Sequence, residues 1–339
     1  MVITSPVLAE GAAGERRYAF QFKGNDHLSA AALRRVARAE LEAFVENQGR
    51  EADLEDAVFQ MEITYRGEGY AFAAVSYDRI AREDRVQVVF AVSEGPRVLI
   101  EAIEFTGRAA VPANDLKSFF LPSRMIFDPS KEQPFVQAEL DAGVGRVRDF
   151  YLARGYLDVT VGAPRLTFSE NRNRVSIDIP LSEGRLYRLT DLQFQGDLPA
   201  DAAEHLHALR QEKIGNAYNR SQRLVIQSRL EEIYGNLGYA EMQVSLEEQR
   251  LPAPDGILIR AVITSGTLLT ISDIQVRGNI KTKPDFIRRR IKFEPGDRYS
   301  LTGERASFRA LYRTGLFSKV NLVLELSLIH ISEPTRPPS

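Results

Sequence analysis

Four histidines, His27, His205, His207 and His330, are the side chains best suited to bind a metal or move a proton near neutral pH. His205 and His207 are two apart in a helical stretch. Their rings then point about 200° apart and cannot share an ion. Gly143-x-Gly145 sits in a helical pattern and not after a strand, so it lacks the setting of a dinucleotide loop. A phosphate-binding Gly-Lys-Ser/Thr loop, a Gly-x-Ser-x-Gly elbow and a His-Glu-x-x-His pair are absent from the sequence. The acidic run Glu51, Asp53, Glu55 and Asp56 reads as a solvated helix face rather than a proton-transfer pair. The chain contains no cysteine, which excludes disulfides and Cys-based metal centres. These observations describe a protein that is not an enzyme and holds no cofactor or metal.

One cluster of charge stands out: Lys281, Lys283, Arg288, Arg289, Arg290, Lys292 and Arg298. It reads as a solvated face, or as a contact with a membrane headgroup or a partner, with Arg288, Arg289, Arg290 and Lys292 at its centre. No base-stacking set of aromatics interleaves the charges, so nucleic acid is not an expected partner. The whole chain, of 339 residues, has a net charge of −2 and a pI near 6.2. It therefore has no overall field that would attract polyanions. Its longest apolar run, Val86 to Val92, is too short for a membrane helix and has strand character.

The elements that position these residues are set by an internal repeat. Alternating apolar residues end on glycine four times: Phe20-x-Phe22-x-Gly24, Ile103-x-Phe105-x-Gly107, Leu192-x-Phe194-x-Gly196 and Ile274-x-Val276-x-Gly278. Each reads as a strand with one buried face and a turn needing positive φ. A helix follows, clearest over Leu28 to Phe44 with Ser29 as its N-cap; in the fourth unit Pro284 opens it. A second helix ends at Tyr65-x-x-x-Gly69-Tyr70, Tyr151-x-x-x-Gly155-Tyr156 and Tyr234-x-x-x-Gly238-Tyr239, and in shorter form at Tyr312-x-x-Gly315. The glycine there suits a left-handed helix terminus. In the third unit Leu224, Ile226, Leu230, Ile233 and Tyr234 form the apolar face of that helix. Strand alternation resumes over Ala71 to Tyr77, Asp158 to Gly162 and Ala240 to Leu246. A closing strand then ends at Glu94-Gly95, Glu183-Gly184 or Ser265-Gly266.

The fold class expected is α+β: a tandem array of four β-α-α-β-β repeats, each a three-stranded sheet covered by two helices. The repeats span residues 17–96, 97–185, 186–267 and 268–325, the last incomplete because it lacks its closing strand. Residues 1–16 are an expected disordered start, in which Val7-Leu8-Ala9 also reads as the end of a signal peptide.

This repeat resembles the POTRA domain, and the chain is similar to the periplasmic part of the BamA/TamA family of outer-membrane β-barrel assembly factors. The four strand-glycine signatures, the Tyr-Gly-Tyr helix ends and the Glu-Gly closures carry the resemblance. So does the run from Phe293-Glu294-Pro295-Gly296-Asp297-Arg298-Tyr299 to Leu316-Phe317. Residues 326–339 fit no repeat and resemble translated sequencing-adapter read-through, so they are expected to be a non-native tail. The resemblance implies a periplasmic arm attached to the outer membrane through a C-terminal barrel that is missing here. Unfolded outer-membrane proteins and accessory periplasmic lipoproteins are its implied partners. It also implies that the strand after the second helix is an open edge to which clients add. The edge residues expected are Asp158, Val159, Thr160 and Val161 in the second repeat, and Glu241, Met242, Gln243 and Val244 in the third. The arm of a two-partner secretion transporter and a barrel-free envelope or division scaffold are the alternatives.

Overall fold

The computed structural model describes residues 17–82, 85–107, 110–120, 132–252, 256–279 and 281–325. The disordered start expected at 1–16 and the tail expected at 326–339 lie outside the described residues. Cα packing divides the chain into two bodies, one of residues 1–152 with 156–185, the other of 153–155 with 186–339.

In the first body, β1 (Arg17–Lys23) is followed by α1 (Ala30–Val36), α2 (Arg38–Glu46), α3 (Glu51–Gly67), β2 (Ala74–Ala81) and β3 (Arg85–Ser93). The helix expected over Leu28 to Phe44 starts at Ala30 and is divided at Ala37. Ser29 caps it, its hydroxyl accepting from the Ala32 N–H at 3.2 Å. The next repeat runs β4 (Leu99–Thr106), α4 (Ala113–Lys117), α5 (Gln137–Ala153), β5 (Thr160–Val161), β6 (Arg165–Phe168) and β7 (Arg174–Ser182). The second body opens with β8 (Arg188–Gly196), α6 (Ala203–Lys213), α7 (Arg220–Asn236), β9 (Gln243–Leu251) and β10 (Gly256–Thr264). It ends with α8 (Pro284–Arg288) and α9 (Leu301–Tyr312), with Pro284 in the first turn of α8.

All three sheets share one strand order. The last strand of each repeat lies in the middle, parallel to the first and antiparallel to the strand after the second helix. A middle strand that buries one face must alternate, and these do: Val86, Val88, Phe90 and Val92 in β3; Val175, Ile177, Ile179 and Leu181 in β7; Ile257, Ile259, Ala261 and Ile263 in β10 are all buried. Each larger side chain contributes about 1.5–3 kcal/mol on leaving water, which makes the middle strand the main apolar contribution of its sheet. The helices meet this face through residues such as Leu33, Phe44, Met61 and Tyr65 in the first repeat, and Leu116, Leu140, Val147 and Tyr151 in the second. Gly143 of α5 is buried there because a Cβ at that position would collide with the Phe120 ring. In α7, Ile226, Leu230 and Tyr234 are buried as the spacing requires, but Leu224 is exposed. It stands two positions before Ile226, about 200° round the helix, and so falls on the opposite face.

The Tyr-x-x-x-Gly-Tyr motif is a complete helix terminus. The three glycines have φ of +96°. The N–H of the second tyrosine donates to the carbonyl of the first: Tyr70 to Tyr65 at 3.0 Å, Tyr156 to Tyr151 at 3.1 Å and Tyr239 to Tyr234 at 3.0 Å. The paired rings pack at 5.4–6.0 Å. That combination of left-handed glycine, six-to-one hydrogen bond and apolar contact terminates the helix without leaving its last carbonyls bare. In residues 268–325 the equivalent position is Leu311, four before Gly315 and 4% exposed, whereas Tyr312 is 65% exposed. The shortened motif read from Tyr312 is therefore off register by one residue.

The same glycines do a second job. The Val98 N–H donates to the Gly69 carbonyl at 2.8 Å, and the Phe135 N–H to the Val98 carbonyl at 2.8 Å. In the second body Leu269 donates to Gly238 at 2.9 Å and Tyr299 to Leu269 at 3.0 Å. A helix end thus anchors the first residues of the repeat that follows it within the same body.

Residues 268–325 differ from the expected repeat. Their described residues include α8 and α9 but no strand ladder, only an isolated bridge between Thr270 and Arg298. The segment Ile274 to Val276 is not hydrogen-bonded to a neighbour as a strand. Its partner in every complete repeat is the middle strand, and the described residues after α9 include none.

Candidate functional site

A three-stranded sheet with its last strand in the middle leaves two outer strands. Among the described residues, β2, β5–β6 and β9 each have a strand on one side only. What they offer depends on which backbone groups face outward, and the register decides that. The Asp197 N–H donates to the Ile263 carbonyl at 3.0 Å, so Ile263, and with it Ala261 and Ile259, faces β8. Val262 and Arg260 then face β9, opposite Ser245 and Glu247. Val244, Leu246 and Glu248 must therefore present N–H and C=O away from the sheet. The Leu246 carbonyl confirms the parity, since it accepts from the Arg223 guanidinium at 3.0 Å. In β2 the Val75 N–H donates to Glu62 Oε1 at 3.0 Å, which places Val75, Tyr77 and Arg79 outward. In the second repeat the Gly162 N–H donates to the Pro180 carbonyl at 2.8 Å, so Thr160 faces β7 and Val161 faces out.

This moves the expected site residues. Gln243 and Val244 open β9, but Glu241 and Met242 lie in the turn before it. Thr160 and Val161 form the two-residue β5, but Asp158 and Val159 precede it and Val159 is buried. The helix terminus consumes three residues after its second tyrosine before the chain extends, so each strand begins later than its alternation suggests. Only Val161 and Val244 of the eight present outward backbone groups within a strand; Gln243 and Thr160 point inward. The edge of the second repeat is also interrupted at Gly162-Ala163-Pro164, between β5 and β6. β9 is the longest of these edges and, apart from Leu246, carries exposed or half-buried side chains. Glu247, Glu248 and Arg250 on it are the charged residues that keep an open edge soluble.

Each repeat is also held by a polar node that the sequence pattern did not show. The Tyr65 hydroxyl donates to Glu94 Oε1 at 2.8 Å, and the same oxygen accepts from the His27 N–H at 2.8 Å. The Tyr151 hydroxyl donates to Glu183 Oε1 at 2.7 Å, and that carboxylate accepts from the Ala110 N–H at 2.9–3.0 Å. In the third repeat, where serine replaces glutamate, Asp197 takes over. Its carbonyl accepts from the Tyr234 hydroxyl at 2.8 Å and its carboxylate from the Ser265 N–H at 3.0 Å. Burial pushes the Tyr65 hydroxyl far above its ordinary range and the Tyr234 hydroxyl up to about 12, so both stay neutral donors at physiological pH. The glutamate of the Glu-Gly closure thus ties the end of the middle strand to the loop after the first strand and to the helix.

Asp53, read as part of a solvated acidic face, is 3% exposed. Arg50 and Asn47 donate to it, at 3.1 Å and 3.0 Å, and the Arg50 hydrogen bond holds its carboxyl below the usual range. It ties α3 to the end of α2. In the basic cluster, Arg290 lies over the Phe286 ring and donates to the Phe286 carbonyl at 2.9 Å, while Arg298 pairs with Asp201 at 2.9 Å. Arg288, Arg289 and Lys292 are exposed, Arg288 lying 3.8 Å from Asp285. His205 and His207 are exposed on α6, on either side of buried Leu206.

Residues 98–184 and 269–334 match the POTRA family model, described as a surface antigen variable number repeat. The outer membrane protein assembly factor BamA of Nitratidesulfovibrio vulgaris is 26% identical over 268 residues, covering 77% of this chain and 34% of that protein. BamA of Neisseria meningitidis serogroup B is 24% identical over 276 residues, covering 80% of this chain and 34% of that protein. A crystal structure of Haemophilus influenzae BamA POTRA3-5 aligns with a TM-score of 0.42 and 20% identity, over 66% of this chain and 88% of that one. The chain spans about a third of the length of the curated relatives it matches. No helix among the described residues is long and apolar enough to cross a membrane.

Proposed function

We propose, from the premise that this chain carries POTRA domains like those of BamA, that it is a periplasmic arm of an outer-membrane protein assembly factor. It would bind extended segments of unfolded β-barrel proteins by adding them to its open sheet edges. The observation that carries the reading is β9: nine residues with one paired side, and with the backbone groups of Val244, Leu246 and Glu248 turned away from the sheet. A client strand paired there gains main-chain hydrogen bonds with little demand on its sequence. That suits a carrier of many clients. Accessory lipoproteins would dock on other faces of the same array.

The test is a pair of adjacent prolines. Val244→Pro removes an outward N–H and leaves the internal ladder whole. One lost backbone hydrogen bond of about 0.5–1.5 kcal/mol, plus the bulk of the ring at the edge, should weaken binding of an extended outer-membrane-protein peptide by about threefold to tenfold. Ser245→Pro removes the N–H that faces Val262 and should lower stability by about 1–3 kcal/mol. If Val244→Pro crosslinks to client peptide as well as the parent does, edge pairing at β9 is wrong.

The exposed side chains of Arg288, Arg289 and Lys292 are the proposed contact with anionic headgroups. Arg289→Glu with Lys292→Glu should abolish sedimentation with vesicles containing anionic lipid at low salt, each lost cation being worth about 1 kcal/mol. Equal sedimentation of parent and variant would refute that contact.

A further inference from the structure

Two surfaces of the first repeat carry one pattern with opposite signs. The first is the outer face of α3. Glu55, Asp56, Phe59, Ile63 and Arg66 recur three or four residues apart and form one stripe along the helix. Phe59 is 55% exposed and Ile63 45%, with acids before them and a base after them. The other large apolar residues of this helix, such as Leu54, Met61 and Tyr65, are buried on the opposite face. The second surface is a groove of about 550 Å³ between β1 and the α1–α2 pair. Phe20, Leu41 and Val45 line its middle. Exposed Arg35 and Arg38 rim one end, and exposed Glu42 and Glu46 the other. The groove is not open to another strand. The Arg34 guanidinium donates to the Phe20 carbonyl at 3.1 Å and so covers that part of the outer edge of β1.

We infer that the outer face of α3 docks in this groove of a second copy of the chain. Its acidic end meets Arg35 and Arg38, Phe59 and Ile63 cover the apolar middle, and Arg66 meets Glu42 and Glu46. The surfaces match in length as well as in sign. Arg35 to Glu46 and Glu55 to Arg66 each span eleven residues, about 16 Å of helix. The docked helix therefore runs in the same direction as the α1–α2 pair that receives it. Reversal would set acid on acid and base on base. Arg38 and Arg66 are held meanwhile by ion pairs within their own helices, to Glu42 and Glu62 at 2.7 Å. Such pairs at a surface contribute little and are readily exchanged for partners across a contact. Both halves of the contact are present on one chain, which singles out a second copy as the occupant. The helix cannot fill its own groove, because its opposite face is packed in the core of the same repeat. The two surfaces differ, so the contact is heterologous. This inference does not depend on pairing at β9.

The experiment is sedimentation equilibrium of the full chain over a range of concentrations. At low salt it should show reversible association that weakens as salt is raised. Arg35→Glu with Arg38→Glu should weaken association about tenfold or more, because like charges then face each other. Glu55→Arg with Asp56→Arg should do the same from the other side. One chain with all four changes should associate again, and the two double variants mixed should form a one-to-one pair. Phe59→Ser should weaken association about tenfold with no change of charge. All five side chains are exposed, so thermal unfolding should change little in these variants. Val244→Pro should leave association intact. A parent chain that stays monomeric at every concentration would overturn the proposal, as would failure of the fourfold variant to regain association. Loss of association in Val244→Pro would assign the contact to the sheet edge and also overturn it.

Discussion

Gly196→Ala should strongly destabilise the third repeat, whereas Gly278→Ala, the same change at the equivalent place, should cost no more than its backbone strain. Both glycines have positive φ, +94° and +77°, so each alanine carries a backbone strain of about 1–2 kcal/mol. Only at Gly196 does the new methyl also meet the Ile263 carbonyl. That oxygen cannot move away, because it already accepts from the Asp197 N–H and belongs to the middle strand of the sheet. Overpacking of this kind adds about 1–3 kcal/mol, for a total of roughly 2–5 kcal/mol at Gly196. A domain is stable by about 5–15 kcal/mol, so this is a large fraction of what the repeat has. Amide exchange of β8 and β10 reads the effect locally. Equal exchange in the two variants would mean that the middle strand does not press on Gly196.

Glu183→Ala should cost a large part of the second repeat's stability as well. The carboxylate is buried and its loss strands one buried donor, the Tyr151 hydroxyl, while the N–H of exposed Ala110 can turn to water. An orphaned buried hydroxyl costs about 1–3 kcal/mol, so the variant should lose about that much. Glu183→Gln keeps an acceptor for the Tyr151 hydroxyl and should recover most of that loss. Chemical denaturation of the two variants tests this directly. A negligible loss in Glu183→Ala would show that water replaces the carboxylate and that the node is not structural.

The period of the array was legible because its markers are enforced by backbone geometry. Gly24, Gly107 and Gly196 are required where a carbonyl leaves no room for a side chain, and such a requirement recurs at every copy. The same holds for the Tyr-Gly-Tyr terminus, whose left-handed glycine and paired rings repeat three times. What the residues did not disclose is pairing between distant positions. Tyr65 finds Glu94 across 29 residues and Tyr151 finds Glu183 across 32, landmarks that the period marks singly but not as partners, and Asp53 accepts from Arg50 and Asn47 in one repeat without a periodic sign. Edge boundaries were misplaced because alternation in Asp158-Val159 and Glu241-Met242 looks like strand, while the helix terminus holds those residues in a turn. Which N–H faces outward is a matter of pairing parity, and it can be read only once the register with β7 or β10 is known.

The middle strand has a consequence for how the chain is made. In each complete repeat the first and last strands are neighbours although about 70 residues separate their paired positions, so the repeat is rich in non-local contacts and should fold slowly for its size. During synthesis the strand that joins the sheet is the last to emerge. Until it does, two helices and two unpaired strands stand around an empty apolar slot. A ribosome pausing within the final nine residues of any repeat would expose that slot to whatever extended chain is near, its own downstream neighbour included. Synthesis rate along β3, β7 and β10 should therefore govern how much of the array is correctly paired.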